Sequence, residues 1–79
     1  MSPSKLNEIE LICYKTAWNF LFMFKEHAGP NFEWNRDFRV NVKTNVFDYI
    51  KYNMGKRNQK EYLDYADEII DHICKNIII

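Results

Sequence analysis

Two apolar stripes run along the first third of the chain at helical spacing. The first steps by three or four residues through Leu6, Ile9, Cys13, Ala17, Phe20 and Phe24. The second comprises Leu11, Trp18 and Phe22 and lies well round the same helix, so that only a narrow polar strip remains. The spacing predicts a long apolar helix over residues 3–28.

This helix has clear ends but little protein to cover it. Ser2 and Pro3 form a good helix start, and Gly29-Pro30 is a good stop. A helix that is apolar on most sides must be covered on most sides. Because a chain of 79 residues has little other protein for this purpose, we expect a homo-oligomer with this helix at its centre. A wide face packed on the chain's own core is the alternative.

The last third of the chain has the pattern of an amphipathic helix. Asn58 and Glu61 stand at the spacing of a capping box. One side of the helical wheel then carries Tyr62, Ala66, Ile69, Ile70, Ile73 and Ile77. The opposite side carries Glu61, Asp64, Glu68, Asp71 and Lys75. The pattern predicts a helix over residues 58–77 with a solvated acidic face.

The middle of the chain fits two periods. From Phe32 to Val46 the odd positions are polar and the even positions are apolar, except for Arg36 and Thr44, which indicates a strand. A helical wheel from Arg36 to Met54 also collects most of the polar residues on one side. We favour a loop over residues 29–37, a strand over residues 38–44 and a helix over residues 45–54 that ends at Gly55. One continuous helix is the alternative.

These elements predict a single domain over residues 1–79. Its fold class is mostly α, in the order α-β-α-α, with a short strand that pairs between two chains because a lone strand leaves its backbone groups unpaired. The alternative fold is an all-α three-helix bundle.

Charge is balanced overall but uneven along the chain. Eleven basic and eleven acidic residues give a net charge of zero, which removes the simplest argument for nucleic-acid or membrane affinity. Residues 29–60 nevertheless carry a net +4 and residues 61–79 a net −4. The basic middle segment is therefore the place to look for an anionic partner.

Residues 38–77 resemble the ribbon-helix-helix family of DNA-binding proteins. The matching segments are Arg39-Val-Asn-Val-Lys43 for the ribbon, Val46-Phe-Asp-Tyr-Ile50 for the first helix, Gly55 for the turn and Asn58 to Ala66 for the second helix. The resemblance implies a homodimer whose paired strands project Arg39, Asn41 and Lys43 into the major groove of duplex DNA. Arg and Lys can donate there to guanine, and Asn can pair with adenine.

The same resemblance implies phosphate contacts at the start of the last helix. These contacts would come from Lys56, Arg57, Asn58 and Lys60, because amide groups and basic side chains at a helix start bind phosphate. A solvated polar face and a polar turn are the ordinary structural explanations of the same residues.

A second hypothesis is a small helical protein-protein interaction module or inhibitor that docks on a host protein. It rests on the zero net charge, on the tail Ile77 to Ile79, and on aromatic surface that a short chain cannot bury. The interface residues would be Leu11, Trp18, Phe22 and Trp34. Forty of the 79 residues have AT-rich codons, which suggests a viral or mobile-element origin.

Enzymatic chemistry finds little support in the sequence. Both serines lie in the first four residues, there is no Gly-rich phosphate loop, and the two histidines are far apart. We expect no metal and no cofactor. Cys13 and Cys74 lie on apolar helical faces and are predicted to be buried free thiols. With no apolar run long enough for a membrane span, we expect no membrane contact and a cytoplasmic location, in the host cell if the protein is viral.

Overall fold

Three helices pack side by side in the computed structural model, which describes residues 4–77. Helix α1 spans Ser4–His27, α2 spans Arg39–Asn53 and α3 spans Gln59–Ile77. A short π-helix, Trp34–Phe38, runs directly into α2. Helices α1 and α3 cover the ranges in which the sequence pattern predicts helices. The predicted start at Ser2 and Pro3 and the tail residues Ile78 and Ile79 lie outside the described residues.

The predicted strand over residues 38–44 is wrong, because this segment is helical. The α-β-α-α fold class is therefore wrong as well, and the all-α three-helix bundle fits the structure. The alternating pattern has a helical explanation. The buried residues between positions 38 and 54 recur at every fourth position. Because four is a multiple of two, they all fall on even numbers. They are Phe38, Val42, Val46, Ile50 and Met54.

Val40 separates the two interpretations. A strand would place Val40 on the same face as Val42. In α2, Val42 is fully buried whereas Val40 is 54% exposed. Over residues 34–46, the period of two therefore came from one row of every fourth residue together with Val40 on the outer side of the helix.

The core is a thin row of side chains shared by all three helices. Helix α1 contributes Ile9, Cys13 and Ala17. The row from Phe38 to Met54 begins at the last residue of the π-helix, runs along α2 and ends directly after it. Helix α3 contributes Ala66, Ile70, Ile73 and Cys74. Each helix packs against both others, and the described chain measures 45 × 21 × 17 Å. A bundle this narrow buries one side of each helix and leaves the opposite side outside.

Aromatic rings close the end of the bundle where α1 leads into α2. The ring of Phe24 lies 4.6 Å from that of Phe32 and 6.2 Å from that of Trp34, between ring centroids. Trp34 in turn lies 5.9 Å from the buried Phe38. These distances are typical of packed aromatic pairs. The cluster anchors the connection to the core and holds the π-helix against it.

The turn between α2 and α3 uses left-handed backbone twice. Gly55 has φ of 78° and Asn58 has φ of 62°. Glycine adopts this region without steric cost, and asparagine tolerates it better than most residues. A normal N-cap residue has extended backbone, so Asn58 does not have the backbone of the predicted capping box. Its carbonyl still accepts the first hydrogen bond of α3, from the amide of Tyr62 at 3.0 Å, as the carbonyl of an N-cap residue does.

We expect truncation of two neighbouring valines to have opposite consequences. Val42→Ala should lower the free energy of unfolding by about 2 kcal/mol, because it removes two buried methyl groups and leaves a cavity. Val40→Ala should leave the stability unchanged or raise it by a few tenths of a kcal/mol, since alanine has the higher helix propensity. Urea denaturation of both variants measures this. An equal loss for both would support the strand.

A second pair of substitutions tests the turn. Gly55→Ala should lower the free energy of unfolding by about 1 kcal/mol, since an added Cβ is strained at positive φ. The cost is conformational, because no heavy atom lies within 4 Å of that Cβ position. Asn58→Gly is the matched control and should not destabilise the protein. Thermal unfolding of the two variants measures both effects, and a destabilised Asn58→Gly with an intact Gly55→Ala would contradict this turn geometry.

Candidate functional site

Two of the three residues predicted to read DNA bases, Arg39 and Lys43, lie on α2 and contact the acidic helix α3. The guanidinium of Arg39 donates to the carboxylate of Asp71 at 2.7 Å, and the ammonium of Lys43 lies 2.7 Å from the carboxylate of Asp67. The hydrogen bond from Arg39 holds the pKa of Asp71 below its usual range, and Lys75 adds to the effect. Two basic residues of the middle segment are thus paired with acidic residues of the last segment across the α2–α3 contact.

Asn41 makes a local contact on the same helix. Its side-chain amide donates to the backbone carbonyl of Asp37 at 2.7 Å, at the π-helix. The carboxylate of Asp37 accepts a hydrogen bond from the backbone amide of Glu33 at 2.9 Å, which lowers the pKa of Asp37. The side chain of Asn41 is therefore bound to its own helix one turn back, and residues 38–44 form no strand that could project it into a groove.

The residues predicted to bind phosphate lie in and after the α2–α3 turn. Lys56, Arg57, Asn58 and Lys60 are all exposed. Lys60 lies 2.9 Å from the carboxylate of Asp64, one turn further along α3. The structure thus brings these residues together at one end of the bundle. Lys60 also lines a groove between α2 and α3 together with Lys43 and Lys51.

The predicted protein-interface residues divide into two groups. Trp34 is half-buried within the aromatic cluster at the end of the bundle, with Phe24, Phe32 and Phe38 as neighbours. Leu11, Trp18 and Phe22 form one surface on α1. They are 66%, 57% and 60% exposed, respectively.

We call the surface formed by Leu11, Trp18 and Phe22 the outer face of α1. At 100° per residue it lies on the opposite side of the helix from the core residues Ile9 and Cys13. The rings of Trp18 and Phe22 meet edge to face, with centroids 5.6 Å apart, which holds the two rings in a defined arrangement. The outer face is thus an apolar patch that the described part of the chain leaves uncovered.

Four charged residues border the outer face, and their relation to it was not predicted from the sequence. Glu8, Lys15, Lys25 and Glu26 are exposed on the same side of α1 as the apolar side chains, and Glu26 stands five full turns after Glu8 at the same helical angle. The hydroxyl of Tyr49 donates to the carboxylate of Glu8 at 2.6 Å, which positions Glu8 at the edge of the face and raises the pKa of Tyr49. The sequence contains a signal for this relation, because charged and apolar residues from Glu8 to Lys25 follow one another in alternating steps of three and four.

The remaining reactive side chains are inert or scattered. Cys13 and Cys74 are buried free thiols, as the sequence predicts. Burial, with a smaller contribution from Glu10, raises the pKa of Cys13 to about 12, so the thiolate is rare at neutral pH. Among the described residues, no three His, Cys, Asp or Glu side chains are grouped for a metal ion. None of the described helices has the length and apolarity that a membrane crossing requires.

Comparisons with protein-family models, with curated proteins and with solved structures find no match to this chain. They therefore neither support nor exclude the resemblance to the ribbon-helix-helix family. The helical state of residues 38–44 removes the paired ribbon on which the implied base contacts depend. The class defined by the fold is a small three-helix protein, and its function has to be inferred from its surfaces.

We expect the Arg39–Asp71 pair to make stability depend on pH in the acid range. The pKa of Asp71 is lower in the folded state than in the unfolded state, so its contribution is complete above the unfolded pKa of about 3.9. It is lost as pH falls through the folded pKa. Asp71→Asn should therefore be less stable than the parent at neutral pH, and the gap should narrow below about pH 4.

Urea denaturation at a series of pH values measures this gap. Asp48→Asn, which changes an exposed carboxylate of α2, is the control and should have a smaller gap at neutral pH. A gap for Asp71→Asn that is constant from neutral to acid pH would contradict the assignment.

Proposed function

We propose that this protein is a small, non-enzymatic interaction module that binds another protein chain through the outer face of α1. The observation that carries the proposal is the exposure of Leu11, Trp18 and Phe22 on the side of α1 away from its own core. Aromatic and large apolar side chains with a charged border are the usual composition of a binding surface.

The energetics of the surface support binding. A half-exposed Leu, Trp or Phe side chain gains about 1 to 2 kcal/mol when a partner removes it from water. The edge-to-face contact of Trp18 with Phe22 limits the rotamers of both rings before a partner arrives. Less side-chain entropy is then lost on binding. Because α1 is a regular helix over Ser4–His27, its outer face can pack along the helical face of a partner.

The basic residues of the chain support nucleic-acid binding less than the outer face of α1 supports protein binding. Arg39 and Lys43 are paired with carboxylates of α3, and the chain has no net positive charge. Duplex affinity depends on the number of phosphate charges that basic residues neutralise. The unpartnered aromatic surface therefore points to a protein partner in preference to DNA.

Site-specific photocrosslinking tests this proposal. The photoreactive residue benzoylphenylalanine replaces Trp18 in the full chain, and the protein is irradiated in the cells that produce it. We expect a discrete adduct to a protein chain, because a partner on the outer face lies against position 18. Leu11→Asp in the same chain should abolish the adduct, since it places a charge within the apolar surface.

The matched control replaces Tyr52, which is 83% exposed and lies on α2 outside this face. The same photoreactive residue at position 52 should give no discrete adduct. Adducts of equal yield from both positions, or none from position 18, would exclude the outer face of α1 as the binding surface.

A further inference from the structure

We propose that the chain bound by the outer face of α1 is a second copy of this protein, with the two α1 helices antiparallel. This inference rests on the proposed function and names the partner of the same surface. The order of charged and apolar residues along α1 points to this partner.

The three residues of the outer face and three of the charged residues that border it have the spacing of a coiled-coil seam. These six residues alternate steps of three and four, which is the a and d pattern of a heptad repeat. They occupy an arc of about 100° on a helix of 3.6 residues per turn. In chain order they are Glu8, Leu11, Lys15, Trp18, Phe22 and Lys25.

An antiparallel pair of these seams is complementary at every layer. Glu8 meets Lys25 of the partner subunit, which places a carboxylate opposite an ammonium group at both ends. Leu11 meets Phe22 of the partner subunit, which joins the apolar side chains. Lys15 meets Trp18 of the partner subunit, and an ammonium group over an indole ring is a favourable cation–π contact. Each contact occurs twice because the arrangement has a two-fold axis.

A parallel pair of the same seams is not complementary. In parallel register each residue meets its own counterpart, so that Glu8 meets Glu8, Lys15 meets Lys15 and Lys25 meets Lys25. Three of six layers would then hold like charges, which disfavours association. Charge therefore selects the antiparallel orientation, as it does in specific coiled coils.

The rest of the structure is compatible with this contact. All six seam residues are exposed in the described chain. Tyr49 donates to Glu8 at 2.6 Å and holds its carboxylate at the edge of the face. A carboxylate accepts several hydrogen bonds, so the same group can also bind a lysine.

The contact is short, which sets the expected affinity. The segment from Glu8 to Lys25 is about 26 Å long at 1.5 Å per residue. A single helix pair of this length lies at or below the low end of specific interfaces, which bury about 1,200–2,000 Å². We therefore expect a reversible dimer with a dissociation constant in the micromolar range.

Sedimentation equilibrium of charge-reversed full-length chains tests the orientation. The parent should approach twice the monomer mass of 9.6 kDa at hundreds of micromolar. Glu8→Lys and Lys25→Glu should each raise the dissociation constant about tenfold, because each creates two like-charge contacts. The double variant restores opposite charges in every copy and should return the constant to within about threefold of the parent.

Two controls separate the seam from other effects of these changes. Tyr49→Phe removes the hydrogen bond to Glu8 and keeps its charge, so dimerisation should persist. Glu61→Lys reverses an exposed carboxylate in the first turn of α3 and should leave the dissociation constant unchanged. Circular dichroism confirms that every variant keeps its helices.

Cysteine crosslinking provides an independent measure of orientation. A mixture of Leu11→Cys and Phe22→Cys chains should form a disulfide-linked dimer under mild oxidation, whereas Leu11→Cys alone should not. In the antiparallel pair, position 11 faces position 22 and lies about 16 Å along the axis from its own counterpart. The native thiols are buried and contribute little background.

Three results would overturn the inference. These are a monomer of 9.6 kDa at hundreds of micromolar, a double variant that dimerises as weakly as the single reversals, or efficient crosslinking of Leu11→Cys alone.

The photocrosslinking result shows whether only the homodimer fails or whether the proposed function fails as well. An adduct from position 18 to a different protein, with a monomeric parent chain, would reject the homodimer and keep the interaction surface. An adduct at twice the monomer mass supports both.

Discussion

The row of buried side chains from Phe38 to Met54 is the contact on which the rest of the structure depends. Every fourth residue of this segment points into the bundle, and α1 and α3 pack against the row from two sides. A row spaced by four residues forms a ridge along a helix, which fits the grooves of neighbouring helices. Because the ridge is narrow, each helix buries only one side. The outer side of α1 stays in solvent for this reason.

Charge reinforces the same arrangement. Arg39 and Lys43 lie beside the ridge and reach Asp71 and Asp67 on α3, so the antiparallel order of α2 and α3 matches basic with acidic positions. These pairs are partly exposed and each is worth little alone. Together they pair two of the seven basic residues of the middle segment with α3, whereas Lys51, Lys56 and Arg57 stay exposed. Part of the segment that suggests an anion-binding surface in the sequence is thereby neutralised by its own chain.

Helix α1 links stability with the proposed function. Its inner side completes the core through Ile9, Cys13 and Ala17, and its outer side presents Leu11, Trp18 and Phe22. Both stripes were identified from sequence, because helical periodicity assigns residues to faces without knowledge of their neighbours. The position of Glu8, Lys15 and Lys25 beside a solvent-exposed apolar face could be recognised only from the structure. Had this face been covered by the bundle, the same charged residues would have made contacts within the chain. Trp34, which the sequence predicts to lie at a protein interface, packs within the aromatic cluster of its own chain.

The sequence by itself determined helices α1 and α3, the turn at Gly55, the buried state of both cysteines and the two faces of α1. Each of these follows from local periodicity, from backbone preferences of single residues, or from both. The conformation of residues 38–44 was decided by tertiary structure. Spacing by four satisfies the helical period and the strand period together, and the β-branched residues favour the strand by an amount that tertiary packing overrides here. Packing against α1 and α3 buries Phe38 and Val42 and leaves Val40 in solvent, and only a helix places the three side chains in that way.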